Sequence, residues 1–360
     1  MKKLLSMTLA FTMVFLAGCQ QSGGTTTPTT SQEPSTGSLT DGTYTASKPG
    51  MNADVEVEVT IADGKISDVK VTSDEETPGI GGILVNSKGE LKTNGGESPV
   101  TRIPAAIVAG QTLKVDTVTG ATISSYAIIN AVADCIEQAG GSKADFQTEV
   151  AATPAEDVSA DVVVVGGGGA GLVAAIAAGE SGAKVVIIEK NGEVGGDTLV
   201  CGAIYNAPDE ALQKEVTMTD TVKTTIEKAL AEEPVSDEHK ALQAEVQKQW
   251  DEYKASGRTD LFDSKEWYAL QTWINGDKVG NLDLVKKLCY DAFEDYQYIE
   301  NMGMTFSDKI SQGAGSLWER THTSTMKMGT GFISTYLDKI DAMDNVTIIT
   351  EAAGKSLVVT

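Results

Sequence analysis

The feature that most limits how this chain can fold is Asp161-Val162-Val163-Val164-Val165 running directly into Gly166-Gly167-Gly168-Gly169-Ala170-Gly171. A short, unbroken apolar run is the pattern of a parallel strand covered on both faces. After the glycines a helical pattern continues from Leu172 to Gly179, and a second apolar run, Val185 to Ile188, ends in Glu189. Strand, G-x-G-x-x-G loop, helix, strand and acid in this order describe a parallel α/β unit built to hold a dinucleotide. Gly166 permits the tight turn, Gly168 lets a pyrophosphate approach the backbone, and Gly169 and Ala170 open the helix whose N-terminus faces the anion. Gly171 allows helix and strand to pack closely, and Glu189 suits the ribose hydroxyls of an adenosine half.

A second constraint lies upstream, in Asp116-Thr117-Val118-Thr119-Gly120-Ala121-Thr122-Ile123-Ser124-Ser125. Gly120 and Ala121 leave the backbone open to a bulky phosphate. Ser124 or Ser125 is placed to cap the helix that Ala127, Ile128, Val132, Cys135 and Ile136 continue. From these residues alone, an ordinary glycine turn with a serine cap is an equal reading. The surroundings are more specific. Val55, Val57, Val59 and Ile61 alternate with Glu56, Glu58 and Thr60 as a half-buried strand does, and Asp63-Gly64 marks a hairpin turn. Glu76-Thr77-Pro78-Gly79-Ile80-Gly81 follows, then a helix near Ile103 to Ala109.

Together these elements resemble an FMN-binding domain over roughly residues 40 to 140. The Asp116 to Ser125 stretch resembles that family's flavinylation motif. The resemblance implies that a dedicated flavin transferase links FMN through its phosphate to Thr122, with Asp116, Gly120 and Ala121 shaping the site. The Gly- and Asn-rich stretch from Ser87 to Ser98 is longer and more polar than the family pattern.

Beyond Glu189 and Lys190, the run Gly195-Gly196-Asp197-Thr198-Leu199-Val200-Cys201-Gly202-Ala203-Ile204-Tyr205-Asn206-Ala207 resembles the flavoprotein family of fumarate reductase and succinate dehydrogenase. The closest branch is the exported flavoproteins that reduce activated double bonds, such as fumarate and urocanate. The resemblance implies non-covalent FAD on the Gly166 to Gly171 loop, with Gly195, Gly196, Asp197 and Thr198 alongside it. The helix opened by Asn281-Leu282, with an apolar face of Leu288, Ala292, Phe293, Tyr296 and Ile299 and a stop at Gly303, extends the match. So does the Arg320-Thr321-His322 loop, for which a structural ion pair or solvent contact is the expected role. Asp197 stands where the family usually has Asn, Cys201 where Ser or Ala is common, and Ala203-Ile204 where a glycine pair is expected.

The N-terminus reads as an address. Lys2-Lys3, an apolar run from Leu4 to Phe15 and Leu16-Ala17-Gly18-Cys19 have the charge, length and small-residue cleavage site of an export signal, and resemble a bacterial lipoprotein signal. That resemblance implies a signal peptide over residues 1–18 and a lipid-bearing Cys19 that anchors the protein on the outer side of the cell membrane. Residues 19–39 are Ser, Thr, Gly and Pro with almost no apolar side chains, the composition of a flexible tether. A net charge of −23 argues against a nucleic acid partner. Besides Cys19, the cysteines are Cys135, Cys201 and Cys289, without paired spacing, and His239 and His322 sit in no ligand cluster, so neither a disulfide framework nor a protein-bound metal is expected.

The expected architecture is therefore an α+β FMN-binding domain over residues 40–141, a linker over 142–159, and an incomplete α/β Rossmann-type FAD-binding domain over 160–360. A charged, amphipathic helical insertion spans about 208–276, its Trp250, Trp267 and Trp273 docking on the flavin domain. Leu357 to Thr360 reads as a strand cut short, and the family resemblance implies that the catalytic residues lie beyond Thr360. The family resemblance implies electron flow from a membrane donor through FMN to FAD and on to an alkene substrate. The alternative is a tethered flavin electron carrier or binding lipoprotein without reductase activity.

Overall fold

The computed structural model describes residues 39–73, 75–92, 98–148 and 157–359. The export signal, Cys19 and nearly all of the tether lie outside the described residues, as do parts of the Ser87 to Ser98 stretch and of the linker. Among the described residues no helix is long and apolar enough to cross a membrane.

Three antiparallel strands, β1 (Gly42–Pro49), β2 (Asp54–Ala62) and β3 (Lys65–Ser73), form the first sheet in the order β1-β2-β3. The alternation in β2 works as its period demands: Val55, Val57, Val59 and Ile61 are buried while Asp54, Glu56 and Ala62 are exposed. Asp63 and Gly64 both take positive φ, 53° and 69°, the geometry of a type I′ hairpin turn. Two helices, α1 (Pro99–Gly110) and α2 (Thr122–Gln138), cover one face of this sheet, and Ile103, Ile107, Ile128, Val132, Cys135 and Ile136 complete its core. The buried Cys135 thiol is pushed up to about 11, consistent with an inert core residue.

The second body starts with β4 (Val162–Val165), α3 (Gly169–Glu180) and β5 (Val185–Ile188). A 3-10 turn at Gly196–Thr198 and β6 (Ile204–Asn206) follow. Four helices come next: α4 (Glu210–Gln213), α5 (Asp220–Ala231), α6 (Asp237–Ser256) and α7 (Lys265–Asn275). The long α8 (Leu282–Asn301) returns the chain to β7 (Phe306–Ser311), β8 (Thr321–Ser324), α9 (Thr330–Asp341) and β9 (Val346–Ile349). Strands β4, β5 and β9 make a parallel sheet in that order, and β6, β8 and β7 make an antiparallel one. Helices α3 and α9 pack on the parallel sheet through Leu172, Ile176, Ile333, Leu337 and Ile340.

Three expectations are corrected and a fourth is made specific. The run Val162 to Val165 does form a parallel strand, but at the edge of the sheet, with Val162, Val163 and Val165 exposed rather than covered. Leu357 to Val359 enter no strand, because no described strand pairs with them, and all three are exposed. In α8 the buried face is Leu282, Cys289, Ala292, Tyr296 and Ile299, whereas Leu288 is exposed: spacings of three and four residues from Cys289 fix the face, and Leu288 falls off it. The tryptophans of the insertion do dock on the flavin domain, on its β7–β8 hairpin and α8 rather than on its parallel sheet. Trp250, Trp267 and Trp273 build a separate core with Phe262, Tyr253, Leu270 and the Trp318 and Ile310 of the β7–β8 hairpin. Trp267 meets Trp318 edge-on at 5.1 Å, and Trp318 donates its indole N–H to the Phe262 carbonyl at 3.1 Å.

The two bodies meet through residues 77–92, a segment of the first. Leu84 is buried within the core of the second, beside Leu199, Ile333 and Leu337. Lys92 reaches Asp338 at 2.7 Å and Asp341 at 2.5 Å on α9, and the Asn86 amide donates to Asp338 at 3.2 Å. Arg102 on α1 pairs with Glu351, just after β9, at 2.5 Å.

Candidate functional site: two nucleotide-binding loops side by side

Thr122 is the first residue of α2, and it is exposed. The loop that presents it is fixed from beneath. Gly120 takes φ +93°, a conformation that favours glycine, and turns the chain into the helix. Neither Ser124 nor Ser125 offers the N-cap expected from sequence: both lie inside the helix and are buried. The Ser125 hydroxyl donates to the Ala121 carbonyl at 2.9 Å and accepts the Val118 N–H at 3.1 Å. The Ser124 hydroxyl donates to Glu76, whose other carboxylate oxygen accepts the Met51 and Asn52 N–H groups at 2.9 Å. The Glu76 to Gly81 run is thereby tied to the Thr122 motif. Ala121 occupies the N-cap position without a side-chain cap, so the start of α2 is left to an anion. Asp116, at the entry to the loop, is exposed.

The glycine loop after β4 has the geometry that a pyrophosphate requires. Gly166 turns at φ +104°. A Cβ added at Gly171 would stand 1.9 Å from the Gly166 carbonyl oxygen, so helix α3 can approach β4 only with glycine there. A Cβ at Gly168 would meet nothing nearer than the Gly195 carbonyl at 3.9 Å, so this backbone faces open space. Gly168 is the N-cap of α3 and, being glycine, offers no capping side chain of its own; the helix begins with Gly169 and Ala170. Glu189 is buried; its carboxylate accepts the Gly167 N–H and the Asn191 N–H, both at 2.8 Å, and so holds the loop to the end of β5. Lys190 beside it is exposed.

The second glycine pair closes over this loop. Gly195 donates to the Gly167 carbonyl at 2.7 Å, and the Thr198 hydroxyl accepts the Gly169 N–H at 3.2 Å. Gly196 and Asp197 are exposed in the 3-10 turn. Ala203, where the family pattern has glycine, is held at φ +56° while buried, a conformation that costs a non-glycine residue about 1–2 kcal/mol.

The loop after β5 also meets the Thr122 motif. A Cβ built on Gly192 would lie 2.5 Å from Val118 Cγ1, and one on Gly120 would lie 3.9 Å from Asn191 Cγ. Between them is a cavity of about 160 Å³, lined by Ile80, Val118, Gly120, Glu193, Asp197 and Leu199, among others. Glu193 Oε1 is enclosed and has no hydrogen-bond partner among the described residues, and burial pushes its carboxyl up to about 8. Sequence reading passed over Glu193, as it did Leu84, Lys92 and Arg102, because no motif or periodicity distinguishes them from ordinary surface residues.

Arg320 and His322 stand apart from this junction. Arg320 forms a two-pronged pair with Asp263, both hydrogen bonds at 2.8 Å, and both side chains are buried. Its guanidinium lies 4.2 Å from the Tyr268 ring centroid. His322 lies against Tyr296 with ring centroids 4.1 Å apart and planes tilted by 34°, and burial lowers its imidazole below the ordinary value.

Comparison with known proteins agrees with this geometry. Residues 50–137 match the FMN-binding domain family, and residues 161–360 match the FAD binding domain family. An NADH:acrylate oxidoreductase of Vibrio harveyi is 31% identical over 88% of this chain and 32% of its own length. A urocanate reductase of Eggerthella lenta is 34% identical over 51% of this chain and 28% of its own, and a cytochrome-type fumarate reductase of Shewanella frigidimarina is 42% identical over 24% and 14%. The chain thus spans a third or less of the length of these curated relatives. Among solved structures, an open flavocytochrome c3 fumarate reductase covers 53% of this chain at 20% identity, with a TM-score of 0.35. The matched regions carry the Thr122 motif in one and the Gly166 to Gly171 loop in the other. The chain belongs to the FAD binding domain family, in its fumarate reductase-like group, with an FMN-binding domain preceding the FAD-binding one.

Proposed function

We propose that this chain is the two-flavin portion of an exported, lipid-anchored oxidoreductase. In this reading a membrane donor feeds FMN held covalently at Thr122. Electrons pass to FAD on the Gly166 to Gly171 loop and then to an activated alkene such as fumarate, urocanate or acrylate. The observation that carries it is the packing of Val118 and Gly120 against Asn191 and Gly192, which sets the Thr122 motif against the loop after β5 that leads from Glu189 to Gly195. The names of the relatives support the substrate class, and the Lys2 to Cys19 signal supports export and anchoring.

When bound, the flavins supply the electron and hydride chemistry. The chain's own residues hold and orient them. Thr122 supplies the hydroxyl for the phosphate bond made by a flavin transferase, and the start of α2 supplies uncapped backbone. Gly168, Gly169 and Ala170 offer the backbone at the start of α3 to the pyrophosphate. Glu189 is placed to exchange its present N–H partners for ribose hydroxyls. Gly195 to Thr198 close the loop from the other side.

The test is direct. The chain is produced beside a flavin transferase and its denatured gel band is viewed for flavin fluorescence, with Thr122→Ala in parallel. A bright wild-type band and a dark T122A band are expected; a dark wild type, or a bright T122A, refutes the Thr122 assignment. The full-length protein, supplied with quinol or NADH in separate assays against fumarate, urocanate and acrylate, then identifies donor and acceptor. Activity with NADH alone would overturn the membrane-donor step.

A further inference from the structure

We infer that Glu193 is the proton-holding residue of the junction: its carboxylate takes up a proton when negative charge arrives on the flavins that flank it. The inference rests on the two-flavin reading above and adds a residue to it. Glu193 lines a cavity whose walls come from the Thr122 motif and from the 191–200 stretch of the FAD-binding domain. Its Oε1 is sealed from solvent without a hydrogen-bond donor, a condition that favours the neutral acid.

Burial alone sets the state of this carboxyl. Of the cations on or beside the loop, Lys190 is exposed, and Arg102 on α1, whose Nη1 would lie 3.7 Å from a Cβ on Gly192, is paired with Glu351. Glu189 spends its carboxylate on two backbone N–H groups. Asp197, from the 3-10 turn, lines the same cavity. Burial, in the absence of a compensating cation, accounts for a carboxyl pushed up to about 8.

The linked step is simple in its balance. Two electrons come from an added reductant such as dithionite and stay on the flavins. One proton comes from solvent, and the only bond formed at Glu193 is an O–H bond. Below the pKa of Glu193 the proton is already in place. Above it, reduction draws the proton in, so the flavin potential becomes pH-dependent through this residue.

Two measurements test the inference. In the flavin-free full chain, carbon-13 NMR of labelled glutamates, with the Glu193 signal identified by its loss in Glu193→Gln, should show an inflection near pH 8. Over the range between an ordinary glutamate pKa and that inflection, the folding constant of the wild type should fall up to tenfold more per pH unit than that of E193Q, because the unfolded chain has released a proton that the folded chain retains. In the flavin-loaded chain, spectroelectrochemical titration should show an inflection in midpoint potential against pH that E193Q removes. A Glu193 that titrates in the ordinary carboxylate range overturns the inference. So does a potential whose pH dependence is the same in E193Q, even though covalent FMN at Thr122 would then still stand. A protein that takes up no flavin fails at the two-flavin reading itself, and takes the inference with it.

Discussion

Replacing Arg320 with alanine would leave Asp263 enclosed with no cation, and this single contact illustrates how the residue scale works in this chain. Burial pushes the Asp263 carboxyl up while Arg320 pulls it down, and the two hydrogen bonds of 2.8 Å fix the geometry. Breaking a buried pair on one side costs about 3–5 kcal/mol, whereas exchanging both partners for apolar residues of similar size is close to neutral. Chemical denaturation should therefore show a large loss for Arg320→Ala and a much smaller one for the double change Arg320→Met with Asp263→Leu. The Arg320-Thr321-His322 pattern was legible as a motif, and its expected ion-pair role is the one observed, but its partner was not. Asp263 lies 57 residues away along the chain, in a segment where charged residues are dense. Glu193 was illegible for a related reason: an acid between Gly192 and Val194 looks solvated until a second domain covers it.

At the scale of elements, the segment 77–92 contributes most to joining the two domains. It has almost no regular structure, yet Leu84 is buried in the core of α3 and α9 while Lys92 and Asn86 tether it to Asp338 and Asp341. Leu84→Ala should cost about 2–5 kcal/mol by the usual penalty for truncating a core leucine. Hydrogen exchange would check where the cost falls: faster exchange is expected in α9 and residues 77–92, with β1, β2 and β3 unchanged. Regular elements could be read from sequence because period 2 in β2 and periods of three and four in the helices mark a buried face. A loop that docks through one leucine, one amide and one lysine has no period. The tryptophans of the insertion posed a different difficulty: spacing showed that they would be buried, but not that they would build a core of their own with Trp318.

For the whole molecule, the outcome is the positioning of two sites that are remote in sequence. Thr122 and Gly166 belong to different domains, and each domain's local pattern gave its own loop. No local pattern could place Val118 against Gly192, because that contact arises from the docking of the two bodies through Leu84, Lys92 and Arg102. The exposed edge strand β4 belongs to the same scale: its apolar run identified a parallel strand, while its place in the sheet depended on pairings other than its own.

The central claim, that the Thr122 motif and the loop after β5 lie against each other, can be tested without any flavin. A Cβ on Gly192 would stand 3.6 Å from Val118 Cβ, within the range spanned by a disulfide. The double variant Val118→Cys with Gly192→Cys should oxidise in air to a 118–192 disulfide that peptide mapping recovers in most molecules. If both thiols remain free to alkylation, or pair only with Cys135, Cys201 or Cys289, the loops are not neighbours and the account fails.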